Sequence, residues 1–384
     1  MRAGFALLAL NYEDWADRYE TNDFSRPATT PDSVTWERIL GLADLAEPLG
    51  FDSIWAPEHH TTPYCQTPNP LTVISYMAGR TKRVDFGTMV VVLPWHHPFQ
   101  IAGELALVDN LLQGRSLYVG MGRGLSAREF GAFAVDQSEA RERYVEAVEI
   151  IKLALEKEQF SYEGKFFTIP TTQLRPRPSP KLAQNLLGAF GSPSSLPVVA
   201  QLDLQMLFVA GQTPDQIAAN VADFNAIRAS RGLAPNAPRV VFWLYCAENE
   251  AEVQEGIDWA IAFGREAGGH YQFLDPSNAA RFKDLKGYED YARGNATGSG
   301  GLPTVDETRA AQRANQVIGT PDECIDKIRE FQALTHAQEF VFICQFGGMP
   351  MDRAEKSMRL FAEKVLPVMH DIEVESPLRA PVPR

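Results

Sequence analysis

The chain has 384 residues, 45% of them hydrophobic and 22% charged, which is ample for a large core, and it carries a net charge of −13. Such a charge repels phosphodiester backbones and anionic lipid, which argues against nucleic-acid and membrane-surface roles, and no apolar run approaches the roughly 18 residues that span a bilayer. The four cysteines (Cys65, Cys246, Cys324, Cys344) are far apart with no C-x-x-C pairing, and read as reduced, buried thiols of a cytoplasmic protein.

Apolar, β-rich runs alternate with amphipathic helical patterns along the chain. The N-terminal run AGFALLA (residues 3–9) reads as a first strand and not a signal peptide, with a helix near 35–49. Strand two is expected at 52–55 and its helix near 71–80. Strand three, VDFGTMVVVLP, begins at Val84 and feeds a helix near 99–111. Strand four, RSLYVGMG, begins at Arg115 and feeds a long helix over 137–156, with Ile150, Ile151 and Leu155 on one face. A small hairpin is expected at 160–170. Strand five (NLLGAF, from Asn185) precedes a helix opening near Pro193. Strand six (MLFVA, from Met206) precedes a helix over 214–231, and strand seven is RVVFWLYCA from Arg239. A less regular stretch covers 267–302. A helix then opens at GTPDEC, with Thr320 as N-cap and Pro321 in the first turn. Strand eight, EFVFICQF, begins at Glu339, and a last helix is expected near 353–365.

Near-continuous apolar strands fit a parallel sheet buried on both faces. Eight of them, each feeding a helix, fit a single α/β (β/α)8 TIM barrel over residues 1–372 better than an open sheet. On this reading the hairpin is an insertion after the fourth helix, 267–302 is a lid, and 373–384 is a proline-rich tail that frays.

Barrel active sites collect at the carboxyl ends of the strands. That rule gathers at one mouth APEHH with Glu58, His59 and His60, LPWHHP with Trp95, His96 and His97, GMGRG with Gly122 and Arg123, GSPSS with Ser192 and Ser195, and QFGGMP. Two HH pairs invite a metal, but adjacent residues on extended backbone point opposite ways and seldom give one ion two ligands, so no metal is expected. The other two readings of EHH are an acid–base residue beside a cofactor and a solvated turn. GMGRG joins glycines, which let backbone N–H groups approach an anion, to a guanidinium suited to phosphate. Ser192 before Pro193 suits a helix start, a second anion-binding position. Either motif is also what an ordinary strand-to-helix turn looks like. The glycines of GMGRG are spaced by two, so no GxGxxG dinucleotide fingerprint is present.

The runs FDSIWAPEHH, GTMVVVLPWHHPFQIAGELALVDNLLQGR, VGMGRG…EFGAF, GSPSS, IGTPDECIDKI and SMRLFAEKVLP, in this order over nearly the whole chain, resemble the bacterial luciferase-like flavin-dependent monooxygenases. The resemblance implies a (β/α)8 barrel that takes reduced FMN from a separate flavin reductase. In that family the flavin forms a C4a-(hydro)peroxide with O2, which oxygenates an organic substrate. The resemblance also implies that His59 is the catalytic histidine. Arg123 would be the phosphate ligand, with Gly122, Ser192 and Ser195 beside it. A non-prolyl cis peptide would place Met89 and Val90 against the flavin ring, and a homodimer is expected. Gly191 stands where luciferase has a glutamate. Aromatic residues in 11–35, 61–68 and 267–302 point to a hydrophobic substrate such as an aldehyde, a ketone or a terpenoid. A deazaflavin-dependent oxidoreductase, a flavin-binding subunit without catalysis and a metal-dependent hydrolase remain alternatives.

Overall fold

The structure is a computed structural model and describes residues 1–189, 191, 193–209, 211–273, 281–292 and 304–374. Its strands are β1 (Arg2–Ala6), β2 (Ser53–Ala56), β3 (Asp85–Val92), β4 (Leu117–Gly122), β5 (Phe160–Glu163), β6 (Thr168–Thr172), β7 (Leu186–Ala189), β8 (Gln205–Phe208), β9 (Arg239–Cys246), β10 (Val317–Gly319) and β11 (Glu339–Ile343). Parallel pairings run β1–β2–β3–β4–β7–β8–β9–β11 and return from β11 to β1, which closes an eight-stranded barrel. β1, β2, β9 and β11 are buried on both faces over nearly their whole length, as expected where helices cover one side and the barrel core fills the other. The expected TIM barrel is what the chain forms. β5 and β6 make the expected antiparallel hairpin after the long helix Ala140–Glu156.

Three elements differ from the sequence reading. The helix Glu250–His270 follows β9 and runs through the first residues of the stretch expected to be irregular. The helix Val305–Asn315 and the short strand β10, which pairs with β9 outside the barrel ring, precede the helix opened at Thr320. That last helix starts as expected, with a capping box between Thr320 and Glu323.

The floor of the barrel is a buried charged layer. Arg239 and Glu339 face each other in register at the starts of β9 and β11. The Arg239 Nε donates to Glu339 Oε2 at 2.9 Å, and Ser53 also donates to Glu339. The guanidinium lies 3.9 Å from the centroid of Tyr118, which stacks on Trp55. This floor closes one end, so the opposite mouth is where side chains of several strand ends can meet a ligand.

Candidate functional site

The loop after β2 delivers His59 and His60, and the two rings part company as neighbours on extended backbone must. His60 Nε2 faces Glu58 Oε1 at 3.0 Å, and His96 Nε2, from the loop after β3, faces the same oxygen at 2.7 Å. The other Glu58 oxygen accepts from the Val92 backbone N–H at 2.7 Å. Burial works to raise the Glu58 carboxyl, but hydrogen bonds from His60 and His96 outweigh it and hold it below its ordinary value. An ionised carboxylate only accepts, so both Nε2 atoms carry protons. His97 points elsewhere and packs edge-on against Phe167 of the hairpin. Glu58 therefore ties the two HH motifs together and braces β3.

His59 turns to a different carboxylate. Its Nδ1 lies 3.3 Å from Glu129 Oε1, and its Nε2 lies 3.4 Å from the hydroxyl of Tyr271. Glu129 comes from the helix Ala127–Ala132 after β4 and is 1% exposed. It also accepts from the His60 backbone N–H at 2.7 Å and lies 3.5 Å from His270 Nε2, a buried nitrogen with no hydrogen-bond partner among the described residues. Burial would raise this carboxyl, but the hydrogen bonds and charges of His270 and His59 prevail and hold it at about 2. It is an anion, so His59 Nδ1 carries a proton. In the neutral ring Nε2 then keeps its lone pair on the side of Tyr271. Tyr64 and His270 frame the His59 ring edge-on, each 5.1 Å away between centroids. His59, Glu129 and His270 place one nitrogen or oxygen each within 4.8 Å of one another, near enough for one divalent ion.

An open cavity of about 290 Å³ reaches His59 and His60 and is lined by Asp32, Trp36, Thr61, Thr62, Cys65, Gln66 and Pro68. The strand-two loop and the end of the N-terminal segment, two of the stretches expected to build a substrate pocket, line this cavity. Its wall is more polar than the sequence reading expected.

The peptide bond Met89–Val90 is cis, as expected. Val90 packs over β4 so closely that a Cβ at Gly122 would overlap its Cγ2 atom. Gly122 is thus required for β3 and β4 to meet here, whatever else it does.

The next residue, Arg123, donates from Nη2 to the carbonyl of Gly287 at 2.6 Å and lies 4.0 Å from the centroid of Tyr288. Its Nη1 is buried without a hydrogen-bond partner among the described residues. A Cβ at Gly287 (φ +86°) would overlap Arg123 Nη1 and lie 2.5 Å from Arg141 Nη2, so two guanidiniums converge there. Arg141, from the long helix after β4, donates to Ser194 Oγ at 3.2 Å. Ser195 is the next residue, at the start of the helix Leu196–Gln201. Ser192 lies outside the described residues, as do 274–280 and 293–302 of the expected lid and 375–384 of the expected tail. Within the stretch expected to be a lid, Phe282 and Tyr288 are buried with Val92, Trp95, Phe130 and Ala140. The Tyr288 hydroxyl donates to the Gly124 carbonyl at 2.9 Å.

Sequence reasoning missed Arg141, Ser194, Glu129 and His270. Arg141 and Glu129 are ordinary members of amphipathic helices by pattern, and His270 ends a helix that was not anticipated. EFGAF, which contains Glu129, was noticed only as part of a longer likeness.

Comparison with known proteins bears on this geometry. The oxygenase component of the flavin-dependent trigonelline monooxygenase of Acinetobacter baylyi is 25% identical over 347 residues, 88% of this chain and 91% of that one. The alkanal monooxygenase alpha chain of Photobacterium leiognathi is 26% identical over 344 residues, 87% and 94% of the two chains. The crystal structure of monooxygenase RslO1 from Streptomyces bottropensis superposes with a TM-score of 0.75 at 25% identity, covering 96% of this chain and 99% of that one. A family model described as luciferase-like monooxygenase matches residues 20–338, and on that match, over a barrel of the kind described, the chain belongs to the luciferase-like monooxygenase family.

Proposed function

We propose that this protein is the oxygenase component of a two-component system, an FMN-dependent monooxygenase that takes reduced FMN from a separate flavin reductase and uses O2 to oxygenate a small organic substrate. The observation that carries the reading is the pair of guanidiniums at Gly287. Arg123 has a buried Nη1 with no partner among the described residues, and Arg141 and Ser194 stand beside it. Two cations and a hydroxyl at the end of a barrel strand suit a phosphate monoester. Arg123, Arg141 and Ser194 would hold the phosphate, with Ser192 and Ser195 as further hydroxyl candidates. Met89, Val90 and Gly122 on β3 and β4 would face the ring system.

Bound reduced flavin supplies the electrons with which O2 is activated. The chain's own residues do the rest. His59, oriented by Glu129 on Nδ1, offers Nε2 to accept or return a proton at the reacting centre. Tyr271, whose phenol burial raises well above its ordinary value, stays protonated as a hydrogen-bond donor there. The segment 281–292, with Tyr288 on Arg123, covers the phosphate end and excludes water.

A homodimer is part of the proposal. Tyr76, Leu107 and Leu111 are about half exposed on the neighbouring helices Pro70–Arg80 and Pro98–Leu111, and an apolar face of this kind supports pairing of two copies. No helix among the described residues is long and apolar enough to cross a membrane, and the buried thiols support the cytoplasmic placement.

The test is an anaerobic titration of the protein with reduced FMN, followed by mixing with air-saturated buffer. Saturable binding and a delayed return of oxidised-flavin absorbance are expected, with no binding of a reduced deazaflavin. No binding of reduced FMN, or reoxidation as fast as that of free flavin, refutes the proposal.

A further inference from the structure

His270 has no place in the phosphate site or among the residues that face the cavity, yet it is 0% exposed and shares Glu129 with His59. Its Nδ1 lies 2.7 Å from Thr62 Oγ1, and its ring stacks on Tyr64 with centroids 4.8 Å apart. Each of these neighbours constrains the ring. Nε2 faces a carboxylate that can only accept, so the favourable arrangement puts the proton on Nε2 and leaves Nδ1 to accept from the Thr62 hydroxyl. The reverse tautomer would turn a lone pair toward an anion. Burial holds the imidazole below its ordinary value, so it is neutral at pH 7 and its tautomer decides the contact.

We propose that His270, locked by Thr62 into its Nε2–H tautomer, is a positioning residue that holds the Glu129 carboxylate against Nδ1 of His59, leaving Nε2 of His59, beside the Tyr271 hydroxyl, as the unprotonated nitrogen for proton transfer. The inference rests on the reading of His59 as the proton-handling group, and it adds a second histidine and a threonine that set that group's orientation. Glu129 Oε1 meets the His60 N–H, the His59 Nδ1 and the His270 Nε2. The first comes from backbone and cannot leave. The second is the proton whose position matters. The third comes from the helix after β9, on another side of the mouth; at 3.5 Å it is a charge contact and not a formed hydrogen bond, and this otherwise unpartnered buried N–H would keep the carboxylate from swinging away from His59. The loop after β2, the helix after β4 and the helix after β9 must therefore all be in place before His59 has a defined tautomer.

The experiment reads tautomers directly, from imidazole ¹⁵N shifts of the full-length chain without flavin. In the parent, His59 is expected as the Nδ1–H form and His270 as the Nε2–H form. His270→Phe keeps the ring against Tyr64 but removes both nitrogens, and should leave His59 exchanging between its two tautomers. His270→Gln returns an N–H toward Glu129 and should restore the parental His59 signal. Thr62→Val should release His270 from its single tautomer. The rate at which protein-bound reduced FMN reoxidises in air should change about tenfold in His270→Phe and recover in His270→Gln. A folded His270→Phe variant whose His59 tautomer matches the parent overturns the inference. So does stoichiometric capture of added Zn²⁺ by His59 and His270 in the parent, which would make the cluster an ion site. If the tautomers respond as expected and the reoxidation rate does not, the clamp stands and the reading of His59 as the proton-handling group fails instead.

Discussion

Glu266 lies four residues before His270 on the helix Glu250–His270, is 2% exposed, and has one carboxyl oxygen without a hydrogen-bond partner among the described residues. Burial, with a lesser push from the charge of Glu20, raises its carboxyl from 4.5 to about 8. The native state therefore keeps a proton that the unfolded chain gives up above 4.5. Stability falls as pH rises from there, and the loss levels off once the folded-state value near 8 is passed. At about 1.4 kcal/mol per pH unit, that interval sets a ceiling of roughly 5 kcal/mol, which local relaxation and water entry reduce. Glutamine has the same shape and no proton to lose, so Glu266→Gln removes the penalty. Parent and variant should unfold within about 1 kcal/mol of each other at pH 5, and the variant should lead by roughly 2–4 kcal/mol at pH 8.5. Urea unfolding followed by tryptophan fluorescence at a series of pH values measures the difference as a shift in midpoint. A gap that does not widen with pH, or a variant weaker than the parent at pH 8.5, refutes the reasoning.

Arg123→Ala removes a charge-assisted contact and should weaken reduced-FMN binding by roughly 10- to 100-fold, or about 1.5–3 kcal/mol, in an anaerobic titration; unchanged affinity would displace the phosphate from this corner. Glu339→Ala strands Arg239, which is 3% exposed, without its carboxylate. It should cost about 3–5 kcal/mol in denaturant unfolding, and a loss under about 1 kcal/mol would mean that the floor relaxes around the cation. His96 is subject to lowering by burial, but its hydrogen bond and charge pairing with Glu58 prevail and raise it above 6.5. Its contribution to stability is then full below the unfolded value and lost as pH rises through the raised one. The destabilisation of His96→Asn relative to the parent should accordingly be larger at pH 6 than at pH 9.

The barrel was legible because its signal is local and repeated. Each strand announces itself by an apolar run, and a parallel sheet buried on both faces leaves few other ways to read eight of them. The strand-end motifs were legible for the same reason, since the fold fixes which end of each strand carries chemistry. What escaped was pairing across the mouth. Nothing in EHH says that His59 and His60 go to different carboxylates, one two residues upstream and the other seventy residues downstream. Glu129 and Arg141 follow helical periodicity, and periodicity says which face is buried, never what a buried charge meets. Helix Glu250–His270 was overlooked although Asn249, whose side chain accepts from the Glu252 N–H, is a recognisable N-cap. With that helix unread, His270 and Glu266 had no address.

The order of strands around the barrel also separates charges that would otherwise conflict. His59 follows β2 and Arg123 follows β4, with β3 between them. Two inter-strand steps are about 10 Å, and at that range two like charges in a medium of effective dielectric 20 repel by about 1.7 kcal/mol, against about 4 kcal/mol at 4 Å. A phosphate held by Arg123 and Arg141 would lie two strand ends from Glu58, whereas Glu129 follows β4 as Arg123 does; both carboxylates are already engaged by imidazoles. Met89 and Val90 on β3 and Gly122 at the end of β4 carry no charge. An anion at one end, proton transfer at the other and an uncharged floor between them are the requirements of a long cofactor with a phosphate tail and a redox-active ring. On the proposed reading, the strand order is what allows one mouth to meet all three.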